Sequence, residues 1–276
     1  MTIITIARLT IRETQRRRLL WIGALMSVGF LLVFGLGFHF MYLDITRSMS
    51  GDNVLFPVIF LTLAGLYATN LMVIMVSILI SVTTISGEIE SHTIESLLTK
   101  PIGRWQLIIG KWLGYTAMIL LFVLFLPGGV LLIVYLRSGF TFDNIVLGLA
   151  IIYLGGLIGL GVSIVGGTRL STLANGALAF MLFGIAFIGG WVEQIGAMFQ
   201  NETAVDVGIV ASLFFPTEII WKKASTLFVP DVAGGFQVAG PFLVISQPSS
   251  LMIVYSFIYI MGLLGLAMLL FSRRDL

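Results

Sequence analysis

The sequence contains no cysteine. That excludes a disulfide framework, a thiolate metal site and a cysteine nucleophile. Histidine is nearly as scarce, with 2 residues, His39 and His92. His39 has only Met41 and Met49 near it, not the clustered soft and borderline ligands of a copper site. Charge is also sparse: 10% of residues are Asp, Glu, Lys or Arg and 58% are hydrophobic, whereas soluble domains carry about a quarter charged residues. The chain therefore reads as an integral membrane protein. Its formal net charge is only +2, and the basic residues are sorted by side of the membrane, so nucleic acid is not an expected partner.

The long apolar runs themselves lack Asp, Glu, Lys and Arg. A charge at the centre of a span costs about 2.5–3.5 kcal/mol or more, and ion-driven transporters accept that cost to build relays and ion sites. These runs hold no such relay. There is also no His-Glu-x-x-His, no Gly-x-Ser-x-Gly and no pair of facing intramembrane aspartates, so an intramembrane hydrolase is not supported. Gly110-Lys111 resembles the end of a phosphate loop, but Trp105 and Trp112 stand where that loop needs Gly and Ser or Thr. No catalytic, cofactor or metal residue is assigned.

What is present is a series of six apolar runs at about 19–42, 55–83, 112–136, 145–167, 174–192 and 251–271, each long enough for a ~30 Å hydrocarbon core. The first follows an Arg-rich start but is about 24 residues long, with no small-residue cleavage pattern after it, so it reads as a retained span. Six crossings put both termini on one side. That side receives Arg8, Arg12, Arg16, Arg17, Arg18, Lys100, Arg104, Lys111, Arg169, Arg273 and Arg274, against Arg47, Arg137, Lys222 and Lys223 on the other. The excess makes the termini cytoplasmic.

Residues 1–18 combine Ile3, Ile4, Ile6, Ala7, Leu9 and Ile11 with Arg12, Glu13, Arg16, Arg17 and Arg18. They predict an interfacial helix, with apolar residues in the acyl boundary and guanidinium groups on headgroups. Residues 84–111 form the longest polar island between two spans. Read as a helix, Ile85, Ile89, Ile94, Leu97 and Leu98 share one side, while Glu88, Ser91, His92, Glu95 and Thr99 share the other. Pro101 ends that helix near Thr99, and a second begins at Arg104 and Trp105. The island is a cytoplasmic elbow placed to receive a push.

Between the fifth and sixth spans, residues 193–250 are too apolar for a mobile linker. Val205 to Phe215 predicts a half-length helix on or dipping into the outer face. Pro216 to Lys223 predicts a short amphipathic helix, with Thr217 as its cap and Glu218 in its first turn. Glu193, just past Trp191, reads as an interfacial carboxylate facing water. Residues 231–249 read as a loop, and Asn201-Glu202-Thr203 as a chance match to the glycosylation triplet. Gly155 and Gly159 in the fourth span predict close approach of a neighbouring helix, and Pro127-Gly128-Gly129 predicts a kink in the third.

The elbow pattern Glu88-x-Glu90-x-x-Thr93-x-Glu95-x-Leu97-Leu98-x-x-Pro101-x-x-Arg104, followed by Gly110-Lys111, resembles the signature of the type-two ABC exporter permeases. The chain end Phe271-Ser272-Arg273-Arg274-Asp275-Leu276 is similar to that family's closing motif. The resemblance covers the whole chain as one transmembrane permease domain, residues 1–276. Phe215-Pro216-Thr217-Glu218-Ile219 resembles the copper-processing branch of the family.

The resemblance implies an all-α membrane protein with six spans, an N-terminal interfacial helix, a cytoplasmic coupling helix and short extracytoplasmic helices between spans five and six. It further implies a permease dimer, of identical or related chains, embedded in lipid of the cytoplasmic membrane and bound to two cytoplasmic ATP-binding cassette ATPase subunits. ATP and Mg would be held by those partners and none in this chain, which is then not itself an enzyme. The contacts to the ATPase would come from Glu88, Glu90, His92, Thr93, Ile94, Glu95, Leu97, Leu98, Pro101 and Arg104, with Arg12 and Arg16 of the N-terminal helix. Glu193, Phe215, Pro216 and Glu218 are candidates for an outer gate or pathway. The alternative reading is a mechanical transmitter that reshapes an extracytoplasmic partner docked on residues 193–250 without moving a substrate.

Overall fold

The computed structural model describes residues 2–16, 18–48, 54–90, 103–229 and 248–274. Every regular element among them is helical: α1 (Ile3–Gln15), α2 (Arg18–Ser48), α3 (Leu55–Val82), α4 (Ser86–Glu90), α5 (Arg104–Ser138), α6 (Ile145–Gly167), α7 (Thr172–Met198), α8 (Glu202–Phe214), α9 (Thr217–Leu227) and α10 (Ser250–Ser272). In lipid a backbone must satisfy its own hydrogen bonds, and an uninterrupted apolar run does so as a helix. Helices α2, α3, α5, α6, α7 and α10 have the length and hydropathy to cross a membrane. The protein is thus an all-α, multi-pass membrane protein, with spans where the hydropathy predicts them.

Helix α5 is 35 residues long, about 52 Å at 1.5 Å per residue, so it outruns the ~30 Å hydrocarbon core. Its first turns form a foot beside which α1 lies. The contact is made by small residues. A Cβ placed on Gly110 would meet the Ile6 side chain at 2.6 Å, and one on Gly114 would meet the Ala7 carbonyl oxygen and Thr10 at 2.9 Å. On α1 the facing stripe is Ile6, Thr10 and Thr14, all buried. The threonine hydroxyls donate to the Ile6 and Thr10 carbonyls four residues back, at 3.0 and 2.8 Å, which removes the cost of burying them. Ile4 and Leu9 remain exposed. One face of the expected interfacial helix therefore packs on protein, and only the other is left for the membrane boundary.

Helix α6 is the centre of the bundle, contacted by α3, α5, α7, α9 and α10. Its glycines admit these neighbours. Side chains at Gly156 and Gly159 would collide with Ile119 of α5 and with Ser77 of α3, the close approach expected of small residues in membrane helices. Helix α2 is peripheral, fastened by Phe34 lying over Gly65 of α3 and Leu31 lying over Gly129 of α5. Helix α5 runs through Pro127 without interruption. The Pro-Gly-Gly stretch, expected to kink the span, remains helical and makes room for α2.

The fifth span continues into a hairpin. Helix α8 runs antiparallel along α7, with Gly196 against Ala204, Gly208 against Glu193 and Gly189 against Ala211. Its end reaches Phe183, near the midpoint of α7, where the Phe183 and Phe215 rings lie 6.2 Å apart. The chain then turns by 105° into α9, which passes Gly155 through Ile220 and ends with Phe228 over Gly148, close to the start of α6. The pair α8–α9 is thus a wedge driven into the bundle from the end opposite the termini. Two expectations are corrected. Thr217 is the first residue of α9 and Pro216 occupies the cap position. Helix α9 is not a surface amphipath either, since Thr217 to Lys222, Ala224 and Ser225 are all buried.

Candidate functional site: a tied base and a charged wedge

At the terminal end of the bundle, α3 stops at Val82 and leaves carbonyls without intrahelical partners. Two other helices, α5 and α7, supply donors. Lys111 of α5 donates to the Thr84 carbonyl at 3.3 Å and pairs with Glu88 of α4. Asn175 of α7 donates to the carbonyls of Val82 at 3.2 Å and Ser163 at 2.8 Å. Thr172 donates to the Ser86 hydroxyl at 3.0 Å. A cation at a helix C-terminus is favoured by the helix dipole, and burial of the Lys111 ammonium is made tolerable by the carboxylate beside it.

The foot of α5 is tied to the chain end as well. Arg104 donates to the carbonyls of Phe271, Ser272 and Arg274 at 3.5, 3.0 and 2.7 Å, capping α10. Arg274 in turn donates to the Thr168 carbonyl at the turn between α6 and α7. The start of the elbow, the foot of α5, the α6–α7 turn and the end of α10 form one hydrogen-bonded base.

This base holds two of the residues expected at the ATPase contact. Glu88 is buried and directed at Lys111, because it lies within one turn of the inward-facing Ile85 and Ile89. Arg104 is directed at the end of α10. Arg12 and Arg16 are exposed. Glu90 ends α4. His92, Thr93, Ile94, Glu95, Leu97, Leu98 and Pro101 lie outside the described residues, as does the 231–247 stretch.

The wedge brings the second group of expected residues together. Glu193 pairs with Lys222 at 2.6 Å, with both side chains almost wholly buried. Glu193 therefore faces the protein interior rather than water. Glu218 is 3% exposed and lies within electrostatic reach of Lys222, Glu193 and Tyr67. Trp191 donates its indole N–H to the Tyr67 hydroxyl at 3.0 Å, and the Tyr67 ring lies 5.1 Å from that of Trp221. Phe215 is fully buried at the tip, next to Pro216. The last carbonyls of α8 accept from α10: Tyr255 donates to Leu213 at 2.7 Å and Tyr259 to Phe214 at 2.6 Å. The wedge carries Glu218 and Lys222 inward to meet Glu193 of α7.

Asn175, Tyr67 and Asn70 were not singled out from the sequence, and Lys111, Arg274 and Lys222 entered only through motifs and the count of basic residues, without the partners they meet here. A signal existed for two contacts: Gly110-x-x-x-Gly114 has the small-residue spacing of a helix contact, and Glu218 and Lys222 are four residues apart on one helix. Among the described residues no group of three or more His, Cys, Asp or Glu is arranged to hold a metal.

A family model described as "ABC-2 family transporter protein" matches residues 4–276. A search of curated proteins finds no match.

Proposed function

The chain belongs to the ABC-2 family of transporter proteins, and from that premise we propose that it couples ATP hydrolysis by a separate cytoplasmic subunit to export of a substrate through its own six spans. It is the permease subunit of an ABC transporter. Two ATP-binding cassette subunits bind its cytoplasmic elbow, ATP and Mg are held there, and a second permease copy completes the pathway. Both termini are cytoplasmic and the wedge closes the outer end.

The observation that carries this reading is the tied base. A displacement applied at the elbow acts first on α4, whose Glu88 is ion-paired to Lys111 and whose Ser86 is bonded to Thr172. Spans α3, α5 and α7 therefore move together, and the Arg104 clasp passes the displacement to α10. Packed helices with discrete contacts respond by shifting as units. Leu98 and Glu95 supply the apolar insert and the charged rim of the ATPase contact.

The test is gentle solubilisation of the intact assembly. A nucleotide-hydrolysing subunit should co-purify, and Leu98→Asp or Glu95→Lys should leave membrane insertion intact while hydrolysis no longer drives transport. If no such subunit co-purifies, or if coupled transport survives both changes, the assignment fails.

A further inference from the structure

We propose that the buried cluster around the wedge is a binding site for an organic cation, a primary ammonium or guanidinium group on an apolar body. The inference deepens the permease reading by naming a substrate class and rests on it. Its first ground is a count of charge. Glu193 and Glu218 are both buried and share one buried ammonium, that of Lys222, which stands 2.6 Å from Glu193. That leaves one buried carboxyl without a cation of its own, and a cationic ligand would favour its ionised form over the neutral one.

The second ground is a set of unpaired polar atoms. Glu218 Oε1, Thr217 Oγ1 and both Asn70 amide atoms, Oδ1 and Nδ2, have no hydrogen-bond partner among the described residues, and all three residues are buried. Asn70 is one turn along α3 from Tyr67 and sits over Gly155 beside Ile220 of α9. Buried polar atoms are nearly always satisfied, so several unpaired ones in one place point to a ligand. An ammonium or guanidinium donates in several directions and accepts nothing, which suits carboxylate, amide and hydroxyl oxygens.

The third ground is the wall. Tyr67, within electrostatic reach of Glu218, makes ring contacts at 5.1 Å to Trp221 and 6.4 Å to Trp191. Aromatic faces attract cations and receive apolar chains equally well. Lys222 is a resident version of the ligand, an ammonium on a four-carbon stem already seated on one carboxylate.

The site carries its own reporters in Trp191 and Trp221. The purified chain in neutral-detergent micelles is titrated with dodecylammonium and dodecylguanidinium, with dodecanol and dodecyl sulfate as controls for partitioning, and tryptophan emission is followed. A saturable change with the two cations alone is expected, and its loss in the Trp191→Phe/Trp221→Phe variant. Glu218→Gln should weaken binding at least tenfold, Glu218→Asp should retain most of it, and Lys222→Met should tighten it severalfold by removing the resident competitor.

A response to dodecanol equal to that of the amine overturns the proposal. So does unchanged affinity in Glu218→Gln, which would make the cluster a structural or proton-binding one. The comparison of cation, alcohol and sulfate on the unmodified chain needs no variant to fold. Because it needs no ATPase either, loss of cation binding with a co-purifying ATPase sinks only this inference. Cation binding without an ATPase sinks the coupling mechanism instead.

Discussion

Lys111 and Glu88 are two charges removed from water, and each is tolerable only while the other is present. Replacing one alone leaves a buried charge without a counter-ion, which costs about 3–5 kcal/mol, whereas replacing both by apolar groups is often close to neutral. Lys111→Met should therefore lower thermal stability in detergent markedly, and Glu88→Leu/Lys111→Met should recover most of the loss. A double variant no more stable than Lys111→Met would show that the pair is not the source of the effect. Single residues are also where the sequence was least legible. Glu88 and Glu193 look like surface carboxylates because each stands in or beside a polar stretch, and their partners are 23 and 29 positions away. Nothing local to either glutamate encodes the lysine that faces it.

At the scale of elements, α1 depends on the absence of side chains at Gly110 and Gly114. Gly114→Val would put a branched side chain where the first added carbon already lies 2.9 Å from the Ala7 carbonyl oxygen, so α1 should lift off α5. The cysteine-free chain allows a direct measurement. Thr14→Cys, at a buried position, should react slowly with a maleimide in the parent and quickly once Gly114→Val is added. Equal rates would mean that the helix stays in place. The spans and their limits were readable because hydropathy and length are properties of one segment, and a lipid environment leaves the backbone little choice. The wedge was read as two short helices, correctly in number, but their depth depends on which glycines of α7 meet which small residues of α8. That register is a property of the pair.

For the whole molecule, the charge sorting implies a definite orientation. By the positive-inside rule, eleven basic residues at the terminal end against four at the other predict that the end bearing α1, the elbow and Arg274 faces the cytoplasm. In intact cells a membrane-impermeant maleimide should label Thr203→Cys, exposed at the start of α8, and should label Gln15→Cys only after permeabilisation. The reverse pattern would invert the protein and remove the elbow from the compartment that holds ATP. Family membership was legible because the elbow and the chain end carry dense local patterns. The tied base was not, since it joins segments up to 170 positions apart.

The tyrosine hydroxyls of α10 that donate to the Leu213 and Phe214 carbonyls have a consequence for biogenesis. Before the last span arrives, the tip of α8 would expose bare carbonyls to hydrocarbon, each costing several kcal/mol. The α8–α9 hairpin is therefore expected to reach its full depth only once α10 is in place, so that the interior is completed after the outline.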